Sequence, residues 1–575
     1  MPGAARLFRW LPASDWLASY SRQDAAGDGL ASLIVIILLV PQGLAYAQLA
    51  GMPAQTGLYA GMLPLVLYGL FGSSRSLAVG PAALTSLITL SAAGPLAHGD
   101  PALFMAAAMA MALLSGAMLV VMAMLRMGWL TNLLSHPVIV GFISGCGLLI
   151  ASSQLPHLLG IQVASHAMIP LWRGMLDQWQ QWQPLTVAMA ALALACLWLP
   201  RWLGNRLQRH PRWQHQARLL AKCGPLVAVA ITTLVAACWH LDQRGLVVIG
   251  ALPAGLPQLT LPSLPLAQWA NLAGPAALLA LIGFVESITL AQALAARKRQ
   301  RIRPNQELMG LGLANVVSGL SGAFAVTGSF SRSTVSQESG ARTPLTGILA
   351  AIGMALVALF FTGAFHYLPA ATLGAIILMV VLPLVELGEL GHLWRFSRAD
   401  CLAMAATLLG VLLVSVQAGL LLGVVLSLGL FLWRTSQTHV AEVGRVPGTE
   451  HFRNVQRHDV EMADPVLAMR VDESLWFGNA RQLEDLIYDQ ALLRPQVKHV
   501  VLQCSAINHL DASAVDSLRS LNERLASAGI ILHLSEVKGP VMDLLQRSDL
   551  LPHLSGRVFL SQHQAMEALT AASGA

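Results

Sequence analysis

Long apolar runs dominate the first 435 residues of this chain and set the solvent in which it can fold. Each run is long enough to span or half-span a bilayer, whose hydrocarbon core takes about 20 helical residues. The runs fall near 30–47, 54–71, 78–92, 102–124, 133–153, 184–200, 225–240, 273–295, 307–324, 329–337, 344–365, 367–388, 401–417 and 418–435. Because 55% of the 575 residues are hydrophobic and only 11% are charged, a water-soluble fold is excluded. The sequence predicts an α-helical polytopic membrane protein of about fourteen transmembrane elements.

Basic residues between the runs indicate which side of the membrane each loop occupies. Two loops, after the sixth and eighth runs, contain Arg201, Arg206, Arg209, Arg212, Arg218, Lys222, Arg297, Lys298, Arg299, Arg301 and Arg303. The loops at 155–182 and 241–272 hold one arginine each. Since Lys and Arg accumulate in cytoplasmic loops, both chain ends are predicted to be cytoplasmic in a multi-pass protein of the cell (inner) membrane. The net charge of +6 therefore reflects topology, and no nucleic-acid partner is predicted.

The pattern of residues changes after about residue 436. Strand-like runs alternate with helical ones, at 466–471, 479–490, 499–504, 512–527, 530–535 and 539–547. This alternation predicts a small cytoplasmic α/β domain. The predicted organisation is a cytoplasmic N-terminal segment (1–28), a transmembrane domain (29–436) and the α/β domain (437–575). The N-terminal segment has no short apolar core with a cleavage site, so no signal peptide is expected.

Three of the apolar elements contain helix breakers. Pro41-Gln42-Gly43 interrupts the first, Gly80-Pro81 opens the third, and the short tenth element begins at Gly328. Broken backbone at membrane depth is tolerated only beside protein or a water-filled cavity. Gly80 and Gly328 are 248 residues apart, as two inverted repeats of about seven elements each would require. The alternative is that Gly and Pro are simply common in membrane helices.

Glu286 is the one acid in the long apolar run LLALIGFVESITLAQALAA. An ionisable group at that depth is costly and marks an ion, proton or substrate path. Desolvation favours the uncharged carboxyl group, which motivates a proton-coupling role. The alternative is a neutral acid bonded to a neighbouring helix.

Arg332 lies in the short tenth element, four residues after Gly328. Two helix N-termini, after Gly80-Pro81 and at Ser329, are predicted to face each other and bind an anion through backbone N–H groups. Arg332 would add positive charge, and the hydroxyl groups of Ser329 and Ser331 would add donors. The alternative is that Arg332 caps a helix or extends to water.

Small and polar residues complete the candidate anion site. Ala82 and Ala83 would let an anion approach bare backbone, although small residues also serve close helix packing. Gln42 and Tyr46 follow the Pro41 break and could donate hydrogen bonds to the substrate, with core packing the alternative for Tyr46. Phe330 lies between the two candidate serines and is included in the predicted binding site.

Several classes of function lack any supporting motif. The six cysteines stand singly, without metal-ligand spacing. This pattern indicates small residues that pack between helices. No metal, cofactor or catalytic site is predicted, so the chain is not expected to be an enzyme. No nucleotide-binding motif is found, which argues against ATP-driven pumping.

Longer motifs resemble a known family. VPQGLAYAQLAGMPAQTGLYAGMLP and SRSLAVGPAALTSL resemble the opening signature of the SulP family of sulfate permeases. GFVESITLAQALA, PNQELMGLGLANVVSGLSGAFAVTGSFSRSTVSQESGA and LPAATLGAIILMVV resemble its second half. The C-terminal region is similar to a STAS domain. The resemblance covers nearly the whole chain beyond residue 25.

The resemblance implies a fold and a mode of transport. Seven plus seven inverted-repeat elements form a core domain that moves against a gate domain, and the gate domain mediates homodimerisation. The anion lies between the third and tenth elements. By motif, the central site takes in Gln42, Ala82, Ala83, Glu286, Ser329, Ser331 and Arg332. Glu286 matches the acid that resembles the proton-coupling residue of sulfate and dicarboxylate members. Sodium-driven bicarbonate members typically have Asp at that position and Thr one turn later, where this chain has Leu290.

The STAS resemblance implies a docking role more than a phosphorylation switch. In the anti-sigma-factor antagonists related to this domain, a phosphorylated serine directly follows an aspartate. Here Ala512 follows Asp511, and Ser513 comes one residue later. We therefore expect Ser513 to lie in the first turn of a helix, and the domain to bind a cytoplasmic protein partner.

These observations lead to one expectation and three rivals. The expectation is a proton-coupled secondary symporter that imports sulfate, with a small anion, protons and the lipid bilayer as partners. The first rival transports another anion, such as a C4-dicarboxylate or bicarbonate. The second is an anion-gated, channel-like protein with little turnover. The third is a STAS signalling module with a membrane anchor.

Overall fold

The computed structural model describes residues 12–571, apart from 19, 98, 133–134, 162, 164–167, 208–222 and 298. Backbone alone is described for Asp15, Thr131, Asn132, Asn205, Leu207, Arg297 and Ser331. Arg209, Arg212, Arg218, Lys222 and Lys298 of the predicted basic loops lie outside the described residues. The chain forms two compact units, Met1–Ser427 and Leu428–Ala575.

Helices make up nearly all of the apolar region. They are α1 (Ala13–Leu17), α2 (Arg22–Leu49), α3 (Gln55–Tyr59), α4 (Leu63–Phe71), α5 (Ala83–Ala97), α6 (Pro101–Met124), α7 (His136–Leu159), α8 (Met168–Asp177), α9 (Pro184–Leu207), α10 (Gly224–Cys238), α11 (Leu266–Arg297), α12 (Pro304–Leu320), α13 (Phe330–Glu338), α14 (Leu345–Phe360), α15 (Ala370–Val381), α16 (Gly388–Phe396), α17 (Arg398–Leu413) and α18 (Val416–Ser436). Within the described part of the chain, 7 helical stretches are long and apolar enough to cross a membrane, and α5, α10 and α14 are shorter apolar helices. The total of fourteen elements remains a prediction.

One expectation about a helix break is wrong. Pro41 does not interrupt the first element, because α2 runs unbroken past it to Leu49. Proline removes one N–H and one backbone hydrogen bond, and a membrane helix can tolerate this where neighbours pack closely. Here α3 approaches so closely that a Cβ on Gly43 would lie 2.8 Å from the Gly57 carbonyl oxygen. The run 54–71 is instead divided into α3 and α4, since Pro64 favours the first turn of a new helix.

The two breaks at Gly80 and Gly328 meet each other in the structure. Strands β1 (Val79–Gly80) and β2 (Thr327–Gly328) pair antiparallel, with Val79 opposite Gly328. The pairing continues where the Ser329 N–H donates to the Ala78 carbonyl oxygen at 3.1 Å. Backbone groups of the two broken elements therefore bond each other, as non-helical backbone away from water requires.

Buried acids tie other helix ends together. Asp28, in α2, is fully buried and accepts hydrogen bonds from the Arg342 and Thr343 amides at 2.7 and 3.1 Å. Its carboxylate also accepts from the Thr343 and Thr346 hydroxyl groups at 2.5 and 3.0 Å. These bonds attach α2 to the first turn of α14 and to the segment that precedes it. Glu307, also fully buried, attaches α12 to the end of α4 by accepting from the Tyr68 hydroxyl group at 2.7 Å.

The second unit contains a six-stranded sheet flanked by helices. Its strands are β3 (Val440–Arg445), β4 (Phe452–Asn454), β5 (Val466–Val471), β6 (His499–Gln503), β7 (Ile531–Ser535) and β8 (Val558–Phe559), in the order β4-β3-β5-β6-β7-β8. Its helices are α19 (Ala480–Leu492), α20 (Ala512–Ser527), α21 (Gly539–Gln546), α22 (Leu550–His553) and α23 (Gln562–Ala571). Strands β5 to β8 are parallel, so the predicted α/β alternation is confirmed. Ser513 lies in the first turn of α20, as expected, after the N-cap Asp511.

His533 is a buried histidine on β7, only 4% exposed. The Arg557 N–H donates to its Nδ1 at 3.2 Å, and its Nε2 lies 3.2 Å from Nδ1 of His499. Because Nδ1 is an acceptor, the neutral ring carries its hydrogen on Nε2 and donates it to His499. Burial, reinforced by the neighbouring His499 and Arg557, lowers the pKa of His533 to about 4.

Acidification from pH 7 to pH 5 is expected to destabilise the second unit by about 2 kcal/mol. The unfolded chain takes up a proton at this histidine near its ordinary pKa of about 6.5, whereas the folded chain resists it down to about 4. Stability is therefore complete above pH 6.5 and is lost as the pH falls toward 4. Amide hydrogen exchange of β6 and β7 in the full chain measures the change.

The controls for this prediction are two histidine substitutions. His533→Gln removes the titrating group and is expected to flatten the pH dependence. His509→Gln, at an exposed position, is expected to leave it unchanged. Equal protection of β6 and β7 at pH 7 and pH 5, after correction for intrinsic exchange, would contradict the assignment.

Candidate functional site

The predicted site residues lie on four helices that converge near the β1–β2 pair. Gln42 and Tyr46 are one turn apart on α2, and both are buried. Ala82 and Ala83 stand at the start of α5, at 7% and 6% exposure. Glu286 lies in α11. The remaining four residues, Ser329, Phe330, Ser331 and Arg332, form the start of α13.

Among the described residues, Arg332 is one of the largest side chains that are completely buried. Its Nη1 donates to Gln42 Oε1 at 3.3 Å. Its Nε and Nη2 are buried and have no hydrogen-bond partner among the described residues. An unpaired buried cation costs several kcal/mol, so this arrangement favours a bound anion on the unused edge of the guanidinium group.

Glu286 provides a second, partly buried charged group near Arg332. Its side chain is partly exposed, but its Oε2 is shielded from solvent and has no hydrogen-bond partner in the described part of the chain. The carboxyl group interacts electrostatically with Arg332 and with Tyr46. Glu286 lies near the positive charge of Arg332, and its Oε2 is not held by a hydrogen bond. When an anion binds at Arg332, this carboxyl group can respond by taking up a proton.

The starts of α5 and α13 follow the paired strands β1 and β2, and both provide backbone N–H groups that have no partner within their own helix. The Ser86 N–H donates to the Ala82 carbonyl oxygen at 3.0 Å, and the Ser333 N–H donates to the Ser329 carbonyl oxygen at 2.9 Å. These are the first intrahelical bonds, so the amides before Ser86 and before Ser333 have no partner within their helices. The paired strands β1 and β2 hold the two starts together, and helix dipoles there favour an anion.

Gly80 shows why the broken backbone is needed at this site. Its φ is +152°, and a Cβ there would lie 3.2 Å from Arg332 Nη2. Only glycine adopts this conformation readily and leaves room for the guanidinium group. The sequence identified Gly80 as a helix breaker, but its close approach to Arg332 is visible only in the structure.

One predicted residue, Phe330, is placed differently from the buried group. The Phe330 side chain is 57% exposed, so the structure does not bring it into the buried polar cluster. The Ser331 side chain lies outside the described residues. Ser329 is 8% exposed, and Tyr46 interacts electrostatically with Arg332 as well as with Glu286.

Sequence reasoning missed three polar residues that hold this site in place. Ser287 and Thr327 are fully buried and joined by a 2.8 Å hydrogen bond between their hydroxyl groups. Ser333, also fully buried, accepts from the Ala78 N–H at 2.8 Å and so links α13 to the start of β1. Ser287 and Thr327 stand inside the motifs that carry Glu286 and Gly328, and this polarity within apolar runs was the signal available.

Metal-ligand side chains are not grouped at this site among the described residues. Throughout the described residues, no group of three or more His, Cys, Asp or Glu side chains could hold a metal ion. The polar side chains near Arg332 include Gln42, which accepts from its Nη1, and Tyr46 and Glu286, which interact with it electrostatically. The arrangement can desolvate a small anion and pair it with one guanidinium group and two helix ends.

Comparison with known proteins places these motifs in a family context. Residues 26–407 match the model of the sulfate permease family, and residues 457–565 match that of the STAS domain. A chloroplastic sulfate transporter (4.1) of Arabidopsis thaliana is 33% identical over 97% of this chain and 82% of its own. A probable sulfate transporter of Mycobacterium tuberculosis is 32% identical over 97% of this chain and 98% of its own.

Solved structures share the fold at lower identity. The structure of the anion transporter SLC26A9 superposes with a TM-score of 0.91, covering 99% of this chain and 94% of its own at 20% identity. The transmembrane domain of a cyanobacterial bicarbonate transporter, BicA, covers 71% of this chain and 99% of its own, with a TM-score of 0.60 and 22% identity. These likenesses support the helical membrane fold with a C-terminal STAS domain.

Proposed function

Since the chain belongs to the sulfate permease family and is an anion transporter, we propose that it imports sulfate together with protons as a secondary symporter. The observation that carries the proposal is the buried guanidinium group of Arg332, two of whose nitrogens lack partners among the described residues. Relatives named as sulfate transporters, at 33% and 32% identity, support sulfate as the substrate. The proposal assigns no catalytic reaction and no cofactor to the chain.

Sulfate binding replaces the hydration shell of the anion with fixed donors. A tetrahedral dianion can accept from Nε and Nη2 of Arg332 through two of its oxygens, in the bidentate geometry that a guanidinium group favours. Its other oxygens can accept from the free amides at the starts of α5 and α13. Ala82 and Ala83 leave this backbone accessible, and Gln42 holds the other edge of the guanidinium group at 3.3 Å.

Proton coupling follows from the charge balance of the occupied site. A dianion beside Arg332 leaves one negative charge, and an ionised Glu286 would add a second. Protonation of Glu286 removes that repulsion, so sulfate and a proton are expected to bind with positive cooperativity. Sulfate bound without a proton leaves two negative charges in an apolar medium, and sulfate bound with a proton leaves one, so the doubly loaded site crosses the membrane at a lower cost than the site with sulfate alone.

The orientation and assembly of the transporter belong to the same proposal. We propose that the protein lies in the cell (inner) membrane with both chain ends in the cytoplasm, and basic loop residues such as Arg201, Arg206, Arg301 and Arg303 support this orientation. We propose that it is a homodimer, as the family resemblance implies. The STAS domain would then face the cytoplasm, where its proposed role is to bind a protein partner.

Uptake of radiolabelled sulfate into proteoliposomes tests the proposal. Purified protein is expected to accumulate sulfate when an inward proton gradient is imposed, and to lose that stimulation when an uncoupler collapses the gradient. Competition by fumarate, succinate and bicarbonate tests the substrate, because guanidinium and backbone donors also accept carboxylates. Absence of sulfate uptake with and without the gradient, alongside uptake of one competitor, would exclude sulfate and retain anion transport.

A further inference from the structure

Ser287 connects the helix of Glu286 to the backbone of the anion site. Its side chain is fully buried in α11, immediately after Glu286. Its hydroxyl oxygen accepts from the Gly328 N–H at 2.9 Å and lies 2.8 Å from the Thr327 hydroxyl oxygen. The Thr327 hydroxyl group in turn donates to the Gly283 carbonyl oxygen at 2.9 Å. The turn of α11 that contains Glu286 is thus bonded to β2 at both of its ends.

The direction of each hydrogen bond in this cluster is fixed. A hydroxyl group has one hydrogen, and Thr327 gives its hydrogen to the Gly283 carbonyl oxygen. The bond between the two hydroxyl groups must therefore run from Ser287 to Thr327. The result is a continuous chain from the Gly328 N–H, through the Ser287 and Thr327 hydroxyl groups, to the Gly283 carbonyl oxygen. Bonds in such a chain polarise and strengthen one another.

Gly328, at one end of this series of hydrogen bonds, is two residues before Phe330, whose amide is the first of the anion site. Gly328 is followed by Ser329, whose N–H is used by the Ala78 carbonyl oxygen, and then by the start of α13 at Phe330. The Gly328 and Ser329 amides are thus occupied by protein. The position of the free amides that follow is then set by Ser287 and Thr327 on one side and by β1 on the other.

We propose that Ser287 and Thr327 are positioning residues that couple Glu286 to the anion-binding backbone. A shift of the α11 turn when Glu286 gains or loses its proton is carried by the hydroxyl chain to Gly328 and to the start of α13. This inference rests on the proposed function and names the residues through which protonation and anion binding are coupled. The titratable groups that interact with Glu286 are Arg332, Tyr46 and Cys146, and none of them forms part of the hydroxyl chain.

Measurements of sulfate binding, made without a transport assay, test the proposed coupling through Ser287 and Thr327. Calorimetric titration of sulfate into the purified full-length chain gives a Kd at each pH between 5.5 and 8. Ser287→Ala and Thr327→Val leave a buried N–H or carbonyl group without its hydroxyl partner, so each is expected to raise the Kd about tenfold. Both are also expected to flatten the dependence of the Kd on pH. Ser287→Thr keeps the hydroxyl group and is expected to restore both properties.

A second hydroxyl pair in the same unit provides the matched control. Thr232 on α10 and Thr372 on α15 are fully buried and joined at 2.9 Å, and neither lies among the residues of the anion site. Thr232→Val is expected to leave the Kd and its pH dependence unchanged. The thermal unfolding temperature of every variant separates loss of binding from loss of folding.

The outcomes separate this inference from the function on which it rests. An unchanged Kd and pH profile in Ser287→Ala would overturn the inference, and so would equal losses in Ser287→Ala, Ser287→Thr and Thr232→Val. A wild-type Kd that does not vary with pH would refute proton coupling itself. In that case the proposed coupling between Glu286 and the anion site is refuted as well. The difference in Kd between Ser287→Ala and Ser287→Thr still decides whether Ser287 and Thr327 position the anion site.

Discussion

Replacing Arg332 with alanine is expected to lower sulfate uptake by at least about 30-fold. Arg332 is the buried cation of the site, and Nε and Nη2 have no partner among the described residues. Removing one member of a buried, hydrogen-bonded charge pair costs about 2–5 kcal/mol, and about 1.4 kcal/mol corresponds to a factor of ten. The measurement is initial-rate uptake of radiolabelled sulfate into proteoliposomes with equal amounts of reconstituted protein.

Two further substitutions show whether the loss comes from the guanidinium geometry. Arg332→Lys keeps the charge without the planar fork, so its uptake is expected to fall between that of wild type and that of Arg332→Ala. Arg342→Ala is the matched control, because this arginine follows the same helix and its side chain is 51% exposed. If Arg332→Ala transported sulfate at more than half of the wild-type rate, the anion would have to bind elsewhere.

Replacing Glu286 with glutamine is expected to abolish proton-driven accumulation of sulfate while sulfate exchange continues. The amide has nearly the shape of the protonated acid but cannot give up a proton. The site is then held in the form that binds sulfate, and the net cycle, which must release the proton inside, stops. Exchange of internal unlabelled sulfate for external labelled sulfate needs no change of protonation and is expected to persist within about threefold.

The assay for Glu286→Gln compares the two modes in the same proteoliposomes. Gradient-driven uptake is measured first and counterflow second, over external pH 5.5 to 8. Wild-type uptake is expected to fall as the pH rises, whereas counterflow by the variant is expected to vary little. Glu386→Gln, at an exposed acid, serves as the control. Full gradient-driven uptake by Glu286→Gln would refute the coupling role.

The charged centre of the site could be predicted from sequence because charge is rare in apolar runs. Glu286 and Arg332 each stand where burial is expensive, so a functional reason could be sought without a structure. The structure buries Arg332 completely and brings it within electrostatic range of Glu286. Gln42 was named for its place after Pro41, and it does contact Arg332, but the expected break that led to it does not occur.

The supporting contacts could not be predicted, because they join residues far apart in the chain. Val79 pairs with Gly328, and Asp28 binds the Thr343 amide and hydroxyl groups. Neither contact follows from local periodicity, which reports only on neighbours within a few turns. The serine and threonine that position the site are also common in membrane helices, where a hydroxyl group can bond to its own helix. Their role depends on which partner is within reach.

The second unit shows how far periodicity extends in a mixed fold. The strands β5, β6 and β7 were located to within one residue because they are apolar and buried in the centre of the sheet. The strands β4 and β8 have three and two residues. They are too short to show the alternation of apolar and polar residues that predicts a strand. Their position depends on pairing with neighbouring strands, which local sequence does not report.

The pairing of β1 with β2 also constrains how the protein is made. Val79 leaves the ribosome long before its partner Gly328, since synthesis proceeds at roughly 5–20 residues per second. For that interval the non-helical segment before α5 has no strand partner, although unsatisfied backbone in hydrocarbon is costly. Until Gly328 is made, the backbone of this segment must therefore be hydrogen-bonded by water, another protein or the insertion machinery. A chain that stops before Gly328 would expose this segment permanently, which makes it a natural target for membrane quality control.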